Sequence, residues 1–217
     1  MLKVKTFVVN PFEMNCYIYY DDAAHEGIIL DPAVYNREEQ SEIEDFVTSN
    51  NIKISNIFNT HGHIDHVLGN KWAKEFFKVP IFIHEKDSSL LSEAPEHGEM
   101  FGLQIEDVPK PDKLFSKDEL VDLGFCKMKI IHTPGHTPGG ICLIDEQNRI
   151  IFSGDTIFKE SIGRVDLPGG DLDTLLNSIN QKLLILPDDC IIYPGHMDST
   201  TIGDEKRDNP FLNGEIV

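Results

Sequence analysis

Within six residues, His61-Gly62-His63-Ile64-Asp65-His66 presents four side chains that can give an electron pair to a metal. Neutral imidazole and carboxylate suit zinc, iron or manganese, and no cysteine of the kind that closes a structural zinc site lies beside them. His136, Asp155 and His196 each follow an apolar run further along the chain and bring the candidates to seven. Seven ligands exceed what one tetrahedral ion accepts, so the count points to two ions sharing a ligand. Two adjacent cations lower the pKa of a water held between them from about 15.7 towards about 7. Hydroxide held in this way is a nucleophile available at neutral pH, and the same ions can stabilise an oxyanion electrostatically. No serine or cysteine nucleophile is required. His25, His84, His97 and His132 lack such partners in sequence and read as surface or core positions, with His132 alone placed to support the site.

Such a site needs elements that bring distant residues together. Four apolar runs end alike: Ile57-Phe58 leads to His61, Ile130-Ile131 to His136, Ile151-Phe152 to Asp155, and Ile191-Ile192-Tyr193 to His196. Residues just beyond the C-terminal ends of strands converge on one rim of an open α/β sheet. Gly135, Gly154 and Gly195 stand next to three of the ligands, where tight bends are needed. Residues 2–9, 16–20 and 27–31 read as strands, the last two as a hairpin. A helix over 36–50, a strand over 52–58, a helix over 66–78 and a strand over 80–83 follow from the apolar spacing. Residues 92–114, rich in Pro, Gly and Glu, read as a loop or lid with Met100 and Phe101 as apolar walls. Strands over 119–123, 126–131, 141–145 and 149–152, a helix over 171–184 and a strand over 190–193 complete an α/β alternation.

Composition narrows the function classes. The 217 residues, 40% hydrophobic, are enough for one globular domain, and a formal charge of −18 repels nucleic acid and anionic lipid. No apolar run reaches membrane-spanning length, and Asn10, Pro11, Glu13 and Asn15 interrupt the first twenty residues where a signal peptide would lie. Cys16, Cys126, Cys142 and Cys190 are widely separated small apolar residues, which fits a reducing, cytoplasmic setting.

The strings THGHIDH at 60–66, TPGHTPGG at 133–140, SGDTIF at 153–158 and YPGHMDST at 193–200 resemble the metallo-β-lactamase superfamily. With Ile162-Gly163-Arg164-Val165-Asp166-Leu167 they are most similar to its glyoxalase II group, the hydroxyacylglutathione hydrolases, in particular the short bacterial members. The likeness runs from the first strand to about Phe211. It implies an α/β fold, a four-layer αββα sandwich of two mixed sheets flanked by helices, as one domain over residues 1–217. By motif position, His61, His63 and His136 would hold one divalent ion and Asp65, His66 and His196 the other, with Asp155 bridging; zinc is the expected metal, iron or manganese being accepted by the same donors. Asp65 and Asp155 are implied to be catalytic as well, Asp65 orienting the attacking water, and Asp31 to be a scaffold residue. Arg164, and secondarily Lys159, would meet a small-molecule thioester such as S-D-lactoylglutathione.

Longer members of the group add a C-terminal helical segment whose basic residues grip glutathione, whereas 21 residues follow His196 here. A weaker hold on glutathione, or a different thiol, is therefore expected. The alternative is the persulfide dioxygenases, which share the fold and use a single iron; His61, His136 and Asp155 could serve as its ligands. Arg164-Val165-Asp166-Leu167-Pro168 departs from the dioxygenase version. Lactamases that use a cysteine ligand fit less well, because Cys142 and Cys190 fall within expected strands.

Overall fold

The computed structural model describes residues 1–103, 105 and 107–214, with the Met100 side chain outside that description. The first half forms a six-stranded mixed sheet. An antiparallel meander of β1 (Leu2–Val9), β2 (Met14–Asp21) and β3 (Glu26–Leu30) comes first, then α1 (Arg37–Ser49) and β4 (Lys53–Phe58), parallel to β3. Two short helices, α2 (Ile64–Val67) and α3 (Asn70–Phe77), lead to β5 (Ile81–His84), and α4 (Ser88–Met100) to β6 (Lys113–Phe115). The strands lie side by side in chain order.

The second half repeats the plan. Strands β7 (Glu119–Asp122), β8 (Lys127–His132), β9 (Ile141–Asp145) and β10 (Ile150–Gly154) form an antiparallel meander. A small hairpin of β11 (Ile157–Phe158) and β12 (Ser161–Ile162) precedes α5 (Leu172–Ser178), which continues as a π-helical turn over Ile179–Leu183. Then β13 (Ile191–Pro194) returns parallel to β10, followed by β14 (Thr200–Thr201) and α6 (Ile202–Asp208). This sheet runs β14-β13-β10-β9-β8-β7.

Period-two alternation explains the layers. On β2, Tyr17 and Tyr19 point between the sheets, where they meet Phe58, Phe82, Leu143 and Phe152, while Cys16, Ile18 and Tyr20 point outward. The outward set packs under α1 and α3 through Ile43, Val47 and Ala73. On the far side, Ile144 and Ile151 pack under α5 and α6 through Leu175 and Ile202. Both faces of each sheet are thus buried, giving the four-layer αββα sandwich of two mixed sheets.

Two expectations need correction. The helix expected over 66–78 is broken at Gly69, where a Cβ would run into Pro32 O and lie 2.6 Å from Val34 Cγ2. The chain leaving β3 passes so close that only glycine fits at this position. Residues 92–114 are also not one loop: α4 occupies the first part despite Pro95, because Leu91 and Ala94 bury against Val67 and Ile83. Phe101, just beyond it, packs edge-on to Phe12 with centroids 5.5 Å apart.

Candidate metal centre

The ends of β4, β8, β10 and β13 meet at one edge of the sandwich. There His61 Nε2, His63 Nδ1 and His136 Nε2 approach one another pairwise at 3.0–3.3 Å. Beside them, His196 Nε2 lies 3.1 Å from Asp65 Oδ2, and His66 Nε2 lies 4.0 Å from the same oxygen. Asp155 stands between the two groups, Oδ1 being 3.3 Å from His66 Nε2 while Oδ2 is 3.6 Å from His136 Nε2 and 3.8 Å from His196 Nε2. All seven expected ligands are therefore brought together.

The outward nitrogens fix which ring atoms are bare. His136 Nδ1 donates to Arg164 O at 2.7 Å, His196 Nδ1 to Phe12 O at 3.1 Å, and His66 Nδ1 to Asp31 Oδ2 at 3.0 Å. Thr60 Oγ1 gives its one proton to Asp31 Oδ2 at 2.7 Å, so it accepts from His61 Nδ1 at 3.2 Å. In their neutral forms, these four rings thereby turn Nε2 inward as a bare nitrogen. Lone pairs pressed to about 3 Å repel unless a cation lies among them. The buried atoms His66 Nε2 and Asp155 Oδ1 have no hydrogen-bond partner, a cost that a cation removes. Three sets, His61/His63/His136, His61/His66/Asp155 and Asp65/His66/His196, are close enough to hold an ion. The donor set fits a divalent metal.

Electrostatics separates the rings. Burial, then the neighbouring imidazoles led by His66, hold His61 well below the usual imidazole range, and burial with His136 pushes His63 down to about 4. Burial also disfavours a charged His66, yet Asp155, Asp31 and Asp65 outweigh it and raise that ring well above its ordinary value. Burial opposes ionisation of Asp65 and Asp155, but His66 foremost keeps both below the usual carboxylate range. A divalent cation seated there would replace the proton that these carboxylates otherwise hold on His66.

Close packing explains the bends. Gly154, at φ 50°, leaves room for Thr60, whose side chain a Cβ would strike. A Cβ on Gly195 would strike Asp155 Oδ1 and lie 2.7 Å from His66 Cε1. The turn between β1 and β2 braces the second group, since Asn10 Nδ2 donates to Asp65 O at 2.9 Å and Phe12 O holds His196.

The two basic residues are placed differently. The exposed Arg164 guanidinium forms a two-pronged pair with Asp166, both bonds 2.7 Å, while its backbone carbonyl is what touches His136. Lys159 is exposed at the tip of the β11–β12 hairpin. Asp31 has the expected scaffold geometry: it is buried and accepts from Thr60 N at 2.7 Å as well as from Thr60 Oγ1 and His66. Sequence reading missed the buried Asp87, which contacts both loops carrying the three-histidine group. Its signal was indirect, in Gly62 and Gly139. His132 stacks on His84 at 4.1 Å between ring centroids and contacts none of the seven through its ring in any recorded bond.

A family model for the metallo-beta-lactamase superfamily matches residues 9–196. The Haemophilus influenzae protein named hydroxyacylglutathione hydrolase GloC is 40% identical over 216 residues, covering 99% of this chain and 100% of that protein. Among solved structures, BLEG-1 B3 metallo-beta-lactamase has a TM-score of 0.90 at 32% identity, covering 98% of this chain and 100% of that one. TTHA1623 in a di-iron-bound form has a TM-score of 0.84 at 31% identity, covering 96% of this chain and 100% of that one. No helix among the described residues is long and apolar enough to cross a membrane.

Proposed function

We propose that this chain, which belongs to the metallo-beta-lactamase superfamily, is a binuclear metallohydrolase of a thioester, with a hydroxyacylglutathione such as S-D-lactoylglutathione as substrate. The observation that carries the reading is the 40% identity, over essentially the full length of both chains, to a protein named for that activity. His61, His63 and His136 would hold one ion, Asp65, His66 and His196 the other, and Asp155 lies where it can serve both. Divalent cations bound there, zinc in our assignment, supply Lewis-acid polarisation of the carbonyl and acidify water.

The chain's own groups do the rest. Asp65, held ionised beside His66 and His196, presents a carboxylate that would orient the attacking water and accept its proton. The outward hydrogen bonds of His61, His66, His136 and His196 engage Nδ1 and so leave Nε2 as the nitrogen that would meet an ion. A departing thiolate, whose conjugate acid has a pKa of about 8.5, needs no general acid. That suits a site whose carboxylates are ionised, and it favours thioesters over ordinary amides. Arg164 would exchange Asp166 for a carboxylate of the thiol portion.

The test is hydrolysis of S-D-lactoylglutathione by zinc-loaded protein and by the same preparation after chelation, with a cephalosporin assayed in parallel. Metal-dependent turnover of the thioester in preference to the β-lactam is expected. Ions bound without thioester turnover would reject the substrate assignment.

A further inference from the structure

Two loops from different sheets must be held in register for the three-histidine group to exist. His61 and His63 lie on the loop after β4, His136 on the loop after β8. One tie between them is backbone, Ile141 N to Thr60 O at 2.9 Å. The other is a carboxylate. Asp87, fully buried, ends a 3₁₀ turn over Glu85–Asp87 that follows β5. Its Oδ2 accepts from Gly62 N at 3.1 Å and from Thr137 Oγ1 at 2.7 Å, and its Oδ1 accepts from Gly139 N at 2.5 Å. Gly62 lies between His61 and His63, and Thr137 follows His136 directly.

Resting on the two-ion reading above, we infer that Asp87 is a positioning residue which clamps these two loops and so sets the affinity of the three-histidine ion selectively. The local sequence is shaped around it. A Cβ on Gly62 would lie 2.7 Å from Asp87 O and 2.8 Å from Leu90 Cβ, and one on Gly139 would lie 2.5 Å from Asp87 Oδ1. Both glycines are needed because the clamp comes this close. A buried carboxylate is costly unless its lone pairs are occupied, and here three donors from the two loops occupy them. The recorded contacts of Asp87 reach neither Asp65, His66 nor His196, so the second group does not depend on it. Asparagine at this position turns an NH₂ towards at least one of the three donors, which opens the clamp while keeping the volume.

The experiment titrates the full chain with zinc alone against a chromophoric chelator, so that two affinities are resolved, and records apo-protein melting. His63→Ala and His196→Ala mark which affinity belongs to which group. Asp87→Asn is expected to weaken the ion that His63→Ala removes by about 10-fold or more and to leave the other within about twofold. Thr137→Val, which deletes only the hydroxyl, shifts the same ion in the same direction by less, and Thr137→Ser restores it. Both affinities unchanged, or both falling together with the melting temperature, would overturn the inference. If Asp87→Asn does not fold, the Thr137→Val and Thr137→Ser pair decides alone. Zinc affinity is read without substrate, so failure of the thioesterase assignment would leave this result standing.

Discussion

Replacing Asp31 by asparagine should disarm both halves of the metal centre at once. Asp31 sits at φ 45°, a conformation asparagine tolerates, so the backbone need not change. Its carboxylate accepts three hydrogen bonds: Thr60 N at 2.7 Å on Oδ1, and Thr60 Oγ1 at 2.7 Å with His66 Nδ1 at 3.0 Å on Oδ2. An amide can keep its oxygen towards Thr60 N, but its NH₂ then faces the other two. His66 must move its proton to Nε2, and the Thr60 hydroxyl must turn to His61 Nδ1, which sends that ring's proton to Nε2 as well. The reverse orientation sets NH₂ against Thr60 N–H. Loss of such a supporting partner costs about 10–100-fold in metal affinity, or about 1.4–2.7 kcal/mol, and here one ligand in each group is affected. One lost bond to a charged acceptor costs about 1.5–3 kcal/mol of fold stability, which lowers the apo melting temperature by about 3–12 °C. Zinc competition titration and apo melting of Asp31→Asn measure both. Two ions bound with affinities within about twofold of the parent would refute the tautomer argument.

Gly195→Ala, by driving a Cβ into Asp155 Oδ1 and His66, should cost bound metal and activity together; elemental analysis showing full occupancy would contradict it. Asp166→Asn should release Arg164 and lower KM for an anionic thioester by up to about fivefold with kcat unchanged, since a solvent-exposed ion pair holds the guanidinium only weakly. The gain should shrink in high salt, and an unchanged KM would place Arg164 outside the substrate's reach. Burial, then the stacked His132, depresses His84 to about 4, so between pH 6.5 and about 4 the unfolded chain binds the extra proton. Its contribution to apo stability is full above pH 6.5 and lost as pH falls towards 4. His84→Phe should flatten that dependence, and equal shifts in urea midpoint between pH 7 and 4.5 for both proteins would refute the assignment.

The seven candidate ligands, which the structure brings to one edge, were legible because chemistry and position coincide in the sequence: four apolar runs read as strands, and a histidine or aspartate follows each of them. What escaped reading depends on contacts between distant segments. The interruption of the helix falls at Gly69, where residues 32–34 leave no room for a Cβ, and Asp87 is an ordinary acidic residue until the loops of Gly62 and Gly139 close on it. Strands β6, β11, β12 and β14 have only two or three residues each, too few to show a period. Helix α4 was hidden by Pro95 and Gly98, which read as loop although its apolar face buries over α2. Arg164 was legible as a basic residue near the site, but its pairing with Asp166 two positions on was not foreseen.

The central claim is that seven residues hold two ions. Metal content per chain settles it most directly: the full-length protein is saturated with zinc, freed of excess by gel filtration and analysed for metal and protein. Two ions per chain are predicted, falling to one in both His63→Ala and His196→Ala. A single ion per chain at saturation, or two retained in either variant, would contradict the account.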